Sequence, residues 1–229
     1  MRLCMFHPVD HPMERGWVGR IDGARVVHLA AQTLQSLFTG GGSAREHAEY
    51  RLADVRLLAP VLHPPAIRVF ESQSSFGFAN PAAVVGPGAE VVLDHGALGL
   101  CPRVAAVIGA EGAIAGFTGF AEWCRPSAPP PKDRDFAFGL GPVVVTPDEF
   151  AVSGLAVTVR VDGEVRLEAT VDEFDWSAAR DLAAGGTALY PGDLLAGPTV
   201  SFLRDFRSRG AVEMEIESIG VLTQVVERE

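Results

Sequence analysis

The chain has 229 residues, with 19 Lys and Arg against 29 Asp and Glu, and a formal charge of −10 at pH 7. At 48 % hydrophobic and 21 % charged residues it is not globally disordered, and its length buries a core without disulfide or metal staples. The acidic excess disfavours a nucleic-acid backbone or an anionic membrane as main partner, while leaving room for a local basic pocket that takes a small anion. No apolar run approaches the roughly 20 residues that cross a bilayer. Cys4, Cys101 and Cys124 are too widely spaced for a disulfide framework or a CxxC metal clip, and residues 1–8 lack the apolar stretch of a signal peptide. A reducing cytoplasm is therefore expected.

In chain order, residues 2–6, 17–21 and 24–29 read as short strands, the last two joined by a type I′ turn at Asp22-Gly23. Residues 30–38 suit a short helix that stops at the glycines of 39–43, and 44–50 suit a second one. The proline-bounded stretch 57–65 is the expected seam between a small N-terminal domain, 1–60, and a main domain, 61–229. From residue 66 onward β-branched runs dominate: 67–70, 83–85, 91–93, 104–108, 143–146, 156–161 and 165–169, with Asp162-Gly163 turning the last pair. Residues 176–184 carry the best helical pattern of this half, with Asp175 as N-cap and Gly185-Gly186 as stop. Two closing strands, 211–216 and 221–226, flank Ser218-Ile219-Gly220. The sum is a β-rich α+β chain, without the long crossover helices of a doubly wound sheet.

Generic chemical motifs are sparse. Gly86-Pro87-Gly88 and Gly139-Leu140-Gly141 complete no GxGxxG, and neither a P-loop nor a GxSxG elbow occurs. His7 and His11 are four apart, but flanking prolines deny them the helical face that would give this spacing a metal-binding meaning. Arg204, Arg207 and Arg209 read as a solvated basic loop.

An ordered set of segments goes further. Residues 132–142, Lys-Asp-Arg-Asp-Phe-Ala-Phe-Gly-Leu-Gly-Pro, resemble the lysine-to-GPW stretch of the fumarylacetoacetate hydrolase family. Residues 2–29, Asn80-Pro81 through Gly88, Ala106-Val-Ile-Gly109, Gly116-Phe-Thr118, Val161-Asp-Gly-Glu164, Leu189-Tyr-Pro-Gly-Asp193 and residues 213–222 follow in the family's order. The resemblance spans nearly the whole chain. It implies a mixed β fold with a barrel-like core, a small N-terminal domain and a homodimer. It also implies chemistry on 2-oxo or β-dicarbonyl acids (C–C hydrolysis, decarboxylation or tautomerisation) through an enolate held by Mg²⁺ or Mn²⁺ on hard oxygen ligands.

The departures fall on that chemistry. The family's Glu-x-Glu pair corresponds to Cys101 and Arg103, its Asn-Asp to Ala121-Glu122, and the aspartate after its Ile-Arg strand to Val69. Its lysine aligns with Arg134, with Lys132 close by, and the threonine beyond is Phe138. The loop that carries the family's histidine is nearly absent between Glu71 and Phe76, and Gly-Thr-Pro becomes Gly197-Pro198-Thr199. The resemblance thus implies a small carboxylic acid as ligand and no metal, unless Mg or Mn survives in an altered site. Glu122, Lys132, Glu71 and Cys101 are the candidate catalytic residues; Arg103, Arg134, Phe138 and Thr199 are the candidate substrate contacts. Fixed arginine and lysine charges would replace the metal beside the enolate. Two other readings stand beside this one: an ordinary Mg-dependent hydrolase, and a non-catalytic family member serving as scaffold or as partner of an active paralogue.

Overall fold

A computed structural model describes residues 1–93, 96–149 and 151–228. The N-terminal part contributes β1 (Arg2–Pro8), β2 (Trp17–Asp22), β3 (Arg25–Ala30), helix α1 (Leu34–Phe38), β4 (Ser43–Arg51) and β5 (Val55–Leu58). A hairpin of β6 (Ile67–Ser72) and β7 (Ser75–Ala79) follows, then β8 (Val84–Val85), β9 (Ala89–Leu93) and the long pair β10 (Leu98–Ile108) and β11 (Ile114–Cys124). Next come β12 (Phe138–Val145), β13 (Ala156–Val161), β14 (Glu164–Thr170) and helix α2 (Trp176–Ala184). The chain closes with β15 (Leu194–Ala196), β16 (Leu203–Phe206), β17 (Gly210–Ile216) and β18 (Gly220–Arg228). No helix among the described residues is long and apolar enough to cross a membrane.

These strands form a 13-stranded sheet, whose main path runs β4-β3-β2-β1-β12-β11-β10-β15-β6-β7, and a 5-stranded sheet ordered β14-β13-β17-β18-β9. Most pairs are antiparallel, but β8–β12, β6–β15 and β9–β18 are parallel, so both sheets are mixed. Alternation along β10 sends Val104, Ala106 and Ile108 to one face and Ala105 and Val107 to the other. The first face packs against Val159, Met214, Ile216 and Leu222 of the smaller sheet. On the second face Leu3, Met5, Ile67, Val69, Phe120 and Phe138 come from distant strands of one sheet and share one cluster, so that sheet curls around its own core. Trp123 ties the two sheets by donating from Nε1 to Gln224 Oε1 at 2.7 Å.

The β-rich α+β reading therefore holds, and local differences have local causes. Residues 44–50 are not helical: β4 pairs with β3, and Arg20–Glu46 and Arg25–Glu49 ion pairs at 2.7 Å bind the edge. Without an apolar stripe to bury, a helix there has nothing to recommend it over the sheet edge. The turn after Asp22 has positive φ at Gly23 (57°) but not at Ala24, the pattern of type II′ rather than I′. At Asp162-Gly163 both residues have positive φ (51° and 82°), as type I′ requires. Helix α1 is shorter than expected because Thr33 caps it, accepting from Ser36 N at 3.1 Å. Asp175 caps α2 as expected, accepting from Ala178 N at 2.9 Å. Residues 1–60 join the larger sheet through β1, where Arg2 and Leu3 pair with Val145 and Val144 of β12.

Candidate active site

The site grows from the β10–β11 hairpin, whose register sets Cys101 opposite Glu122 and Arg103 opposite Phe120. Residues two apart on paired strands share a face, so Cys101, Arg103, Glu122 and Cys124 project to the same side. Arg103 and Glu122 are each 1 % exposed, and Arg103 Nε lies 2.8 Å from Glu122 Oε2. Arg103 Nη1 donates to the carbonyls of Phe70 at 3.0 Å and Gly197 at 2.9 Å, and Nη2 to Glu71 Oε1 at 3.3 Å. One guanidinium thus braces β11, the end of β6 and the segment after β15, and these partners are what make its burial tolerable.

A second guanidinium stands above it. Arg134, from the loop before β12, places Nη1 at 3.4 Å from Glu122 Oε1 and 3.6 Å from Glu71 Oε1, with Nε on Asp133 at 3.2 Å. Its side chain is half-exposed, as is that of Glu71. Glu71, Glu122 and Arg134 line a cleft of about 600 Å³ whose walls include Val69, Phe78, Ala79, Pro130 and Pro131, and Arg103 lies buried behind them. That volume suits a small organic ligand.

The residues singled out by sequence separate here. Glu71, Arg103, Glu122 and Arg134 converge. Cys101 adjoins them, but its pKa is raised by a hydrogen bond with Cys124, by burial and by the charge of Glu122, which together outweigh Arg103. A thiol held protonated is a poor nucleophile. The same hydrogen bond lowers the pKa of Cys124. Lys132 faces solvent and holds Asp135 at 2.7 Å, so Arg134 rather than Lys132 is the cation in the cleft. Phe138 lies opposite Glu122 across β11–β12, yet it is fully buried and stacked on Phe120 at 5.4 Å, away from the cleft. Thr199 turns to the Ser201 carbonyl at 2.6 Å and borders a separate depression beside Trp176. Its neighbour Gly197 makes the link to Arg103.

Between β6 and β7 the chain makes a tight turn, with Ser72 paired to Ser75. The Gln73 side chain docks this tip on helix α2, donating to Asp175 O and accepting from Asp175 N, both at 2.9 Å. Sequence reasoning missed Phe78, which is 75 % exposed at the cleft wall, and the carbonyls of Phe70 and Gly197. Phe76 and Phe78, two apart in β7, share one face with their rings 5.7 Å apart, a signal that could have flagged an aromatic pair at this edge. Backbone acceptors carry none.

Both oxygens of Glu122 face guanidinium nitrogens, and among the described residues no group of three His, Cys, Asp or Glu is disposed to hold a metal ion. Such a donor set does not fit Mg²⁺ or Mn²⁺, which need a cage of oxygens free of fixed cations.

The profile of the fumarylacetoacetate (FAA) hydrolase C-terminal family matches residues 45–227. No curated protein sequence matches the chain. Among solved structures, fumarylacetoacetate hydrolase from psychrophilic Exiguobacterium antarcticum is similar with a TM-score of 0.80 and 20 % identity over 100 % of both chains. Maleylpyruvate hydrolase from Sphingobium sp. SYK-6, in complex with manganese (II) ion and pyruvate, gives 0.78 and 18 %, covering 100 % of this chain and 99 % of that one. The 2-hydroxyhepta-2,4-diene-1,7-dioate isomerase from Mycobacterium marinum gives 0.78 and 23 % over 100 % of this chain and 99 % of the other. A profile match over most of the length, on a chain whose motifs run in the same order, places this protein in the fumarylacetoacetate hydrolase family.

Proposed function

We propose that the chain is an enzyme that binds a small 2-oxo or β-dicarbonyl acid without a divalent metal and acts through its enolate, by tautomerisation or decarboxylation. The observation that carries this reading is the Arg134 guanidinium lining a hollow cleft, with that of Arg103 buried behind it on the same two glutamates. Fixed cations in a partly dry site stabilise a developing enolate as a metal does. Glu122 would take a proton from the carbon beside the oxo group, the electron pair would run into the carbonyl oxygen, and Arg134 would face the resulting charge. Hydrolysis has less support, because no histidine lines the cleft among the described residues to activate water. The manganese–pyruvate complex of the Sphingobium enzyme supports a 2-oxo acid as the ligand class. A homodimer is the assembly that accompanies this reading.

A non-catalytic member is the second reading, favoured by the self-satisfied pairing of Glu122 with two guanidiniums. Exchange of the methyl protons of pyruvate in D₂O, followed by NMR in the presence of EDTA, separates the two. The chain is expected to catalyse exchange, and Arg134→Met to slow it by about 100-fold, the usual effect of losing one anion-stabilising donor. Because Arg134 is half-exposed, its variant should keep its unfolding midpoint. Background exchange in both proteins is the result the non-catalytic reading expects.

A further inference from the structure

If Arg103 and Arg134 are the cations that meet the small acid, as the reading above holds, the place for its carboxylate is already filled by the chain itself. Glu71 Oε1 lies 3.3 Å from Arg103 Nη2 and 3.6 Å from Arg134 Nη1, so one oxygen bridges both guanidiniums. We propose that Glu71 is a displaceable internal carboxylate. It occupies the anion subsite when the cleft is empty and swings out when the carboxylate of a small acid enters.

The two glutamates of the cluster are built differently. Glu122 is 1 % exposed and held at 2.8 Å, whereas the Glu71 side chain is 58 % exposed and its contacts exceed the 2.7–2.9 Å usual for charge-assisted bonds. Glu122 would be stranded without a partner if it moved. Glu71 would return to water. Its backbone position also fits the role. Glu71 follows Val69 by two residues, so strand alternation keeps both on the cleft side, and the ladder shifts register there, with Phe70 paired to Phe76 and Ser72 to Ser75. Glu71 thus lines the cleft at the edge of the sheet, where β7 is the last strand.

Charge balance supports the exchange as well. Arg103 and Arg134 face Glu71 and Glu122, with Asp133 also on Arg134 Nε, and one carboxylate replacing another leaves that balance unchanged. The incoming group is therefore a monoanionic carboxylate rather than a phosphate, and the apolar wall of Val69, Phe78, Pro130 and Pro131 receives the remainder of the molecule.

The test is calorimetric titration of pyruvate, in EDTA, into the unaltered chain, Glu71→Gln and Arg134→Met. Glu71→Gln keeps the size and removes the competing charge, and should bind pyruvate about three- to fivefold more tightly, the range of an exposed ion pair. Glu164→Gln, an exposed charge removed from the smaller sheet, should leave the affinity unchanged and so excludes a net-charge effect. The Glu71→Gln unfolding midpoint should stay within about 2 °C of the unaltered value. Equal or weaker binding by Glu71→Gln, with binding lost in Arg134→Met, overturns the internal-carboxylate role and leaves the acid site standing. Absence of pyruvate binding in all three proteins overturns the acid site itself.

Discussion

Replacing Arg103 with Met is expected to lower stability by about 3–5 kcal/mol and the thermal midpoint by roughly 10–15 °C. The side chain is buried and gives hydrogen bonds to Glu122, Glu71 and the carbonyls of Phe70 and Gly197. Methionine fills similar volume but leaves the Glu122 carboxylate buried with only the longer Arg134 contact, and strands two carbonyls. Removing one member of a buried pair is the expensive change; removing both is far milder. Arg103→Met combined with Glu122→Met should therefore recover a large part of the loss in urea unfolding, a coupling that a double-mutant cycle reads directly. Arg103→Lys should recover less, since an ammonium lacks the planar fork that reaches a carboxylate and two carbonyls at once. A single-variant loss below about 1 kcal/mol would contradict the brace.

Phe138→Ala is expected to lower stability by a comparable amount, about 3–5 kcal/mol. Phe138 is fully buried, stacked on Phe120, and part of the core that the larger sheet encloses. Truncation leaves a cavity among strands that cannot readily collapse, because β11 and β12 are pinned by their ladder on either side. The effect should appear in the denaturant midpoint at unchanged slope. A side chain that instead touched ligand would show its effect in pyruvate affinity with the midpoint intact. The contrast with Arg134→Met, where binding is lost and stability kept, separates the two roles.

The fold was largely legible in the chain. Short β-branched runs, the Asp-Gly turns and the Asp175-capped helix all have local signals, and the ordered family segments supplied the architecture. What failed locally was 44–50, where the competition between a weak helix and a sheet edge is decided by β3, a tertiary partner that residues 44–50 do not reveal. The charged site was half legible. Arg103 and Glu122 stand out because a cation and a carboxylate replace the expected ligands, and strand alternation puts Cys101 and Arg103 on one face. The choice between Lys132 and Arg134 was not legible, since both lie in an irregular loop where side-chain direction follows no period. The register shift beside Glu71 was invisible for a related reason: one extra residue in a strand changes no composition. Phe138 misled because sharing a face with Glu122 does not set depth: it is stacked on Phe120 inside the core that the larger sheet encloses.

In the proposed reaction the guanidiniums of Arg134, in the cleft, and Arg103, behind it, do the work of a metal. Titrating pyruvate into the chain in EDTA, and again with Mn²⁺ in excess, tests it most directly. The guanidinium site predicts binding in EDTA with an affinity that Mn²⁺ leaves unchanged. Binding that appears only with Mn²⁺ would contradict it and return the chain to the metal-dependent chemistry that its family resemblance implies.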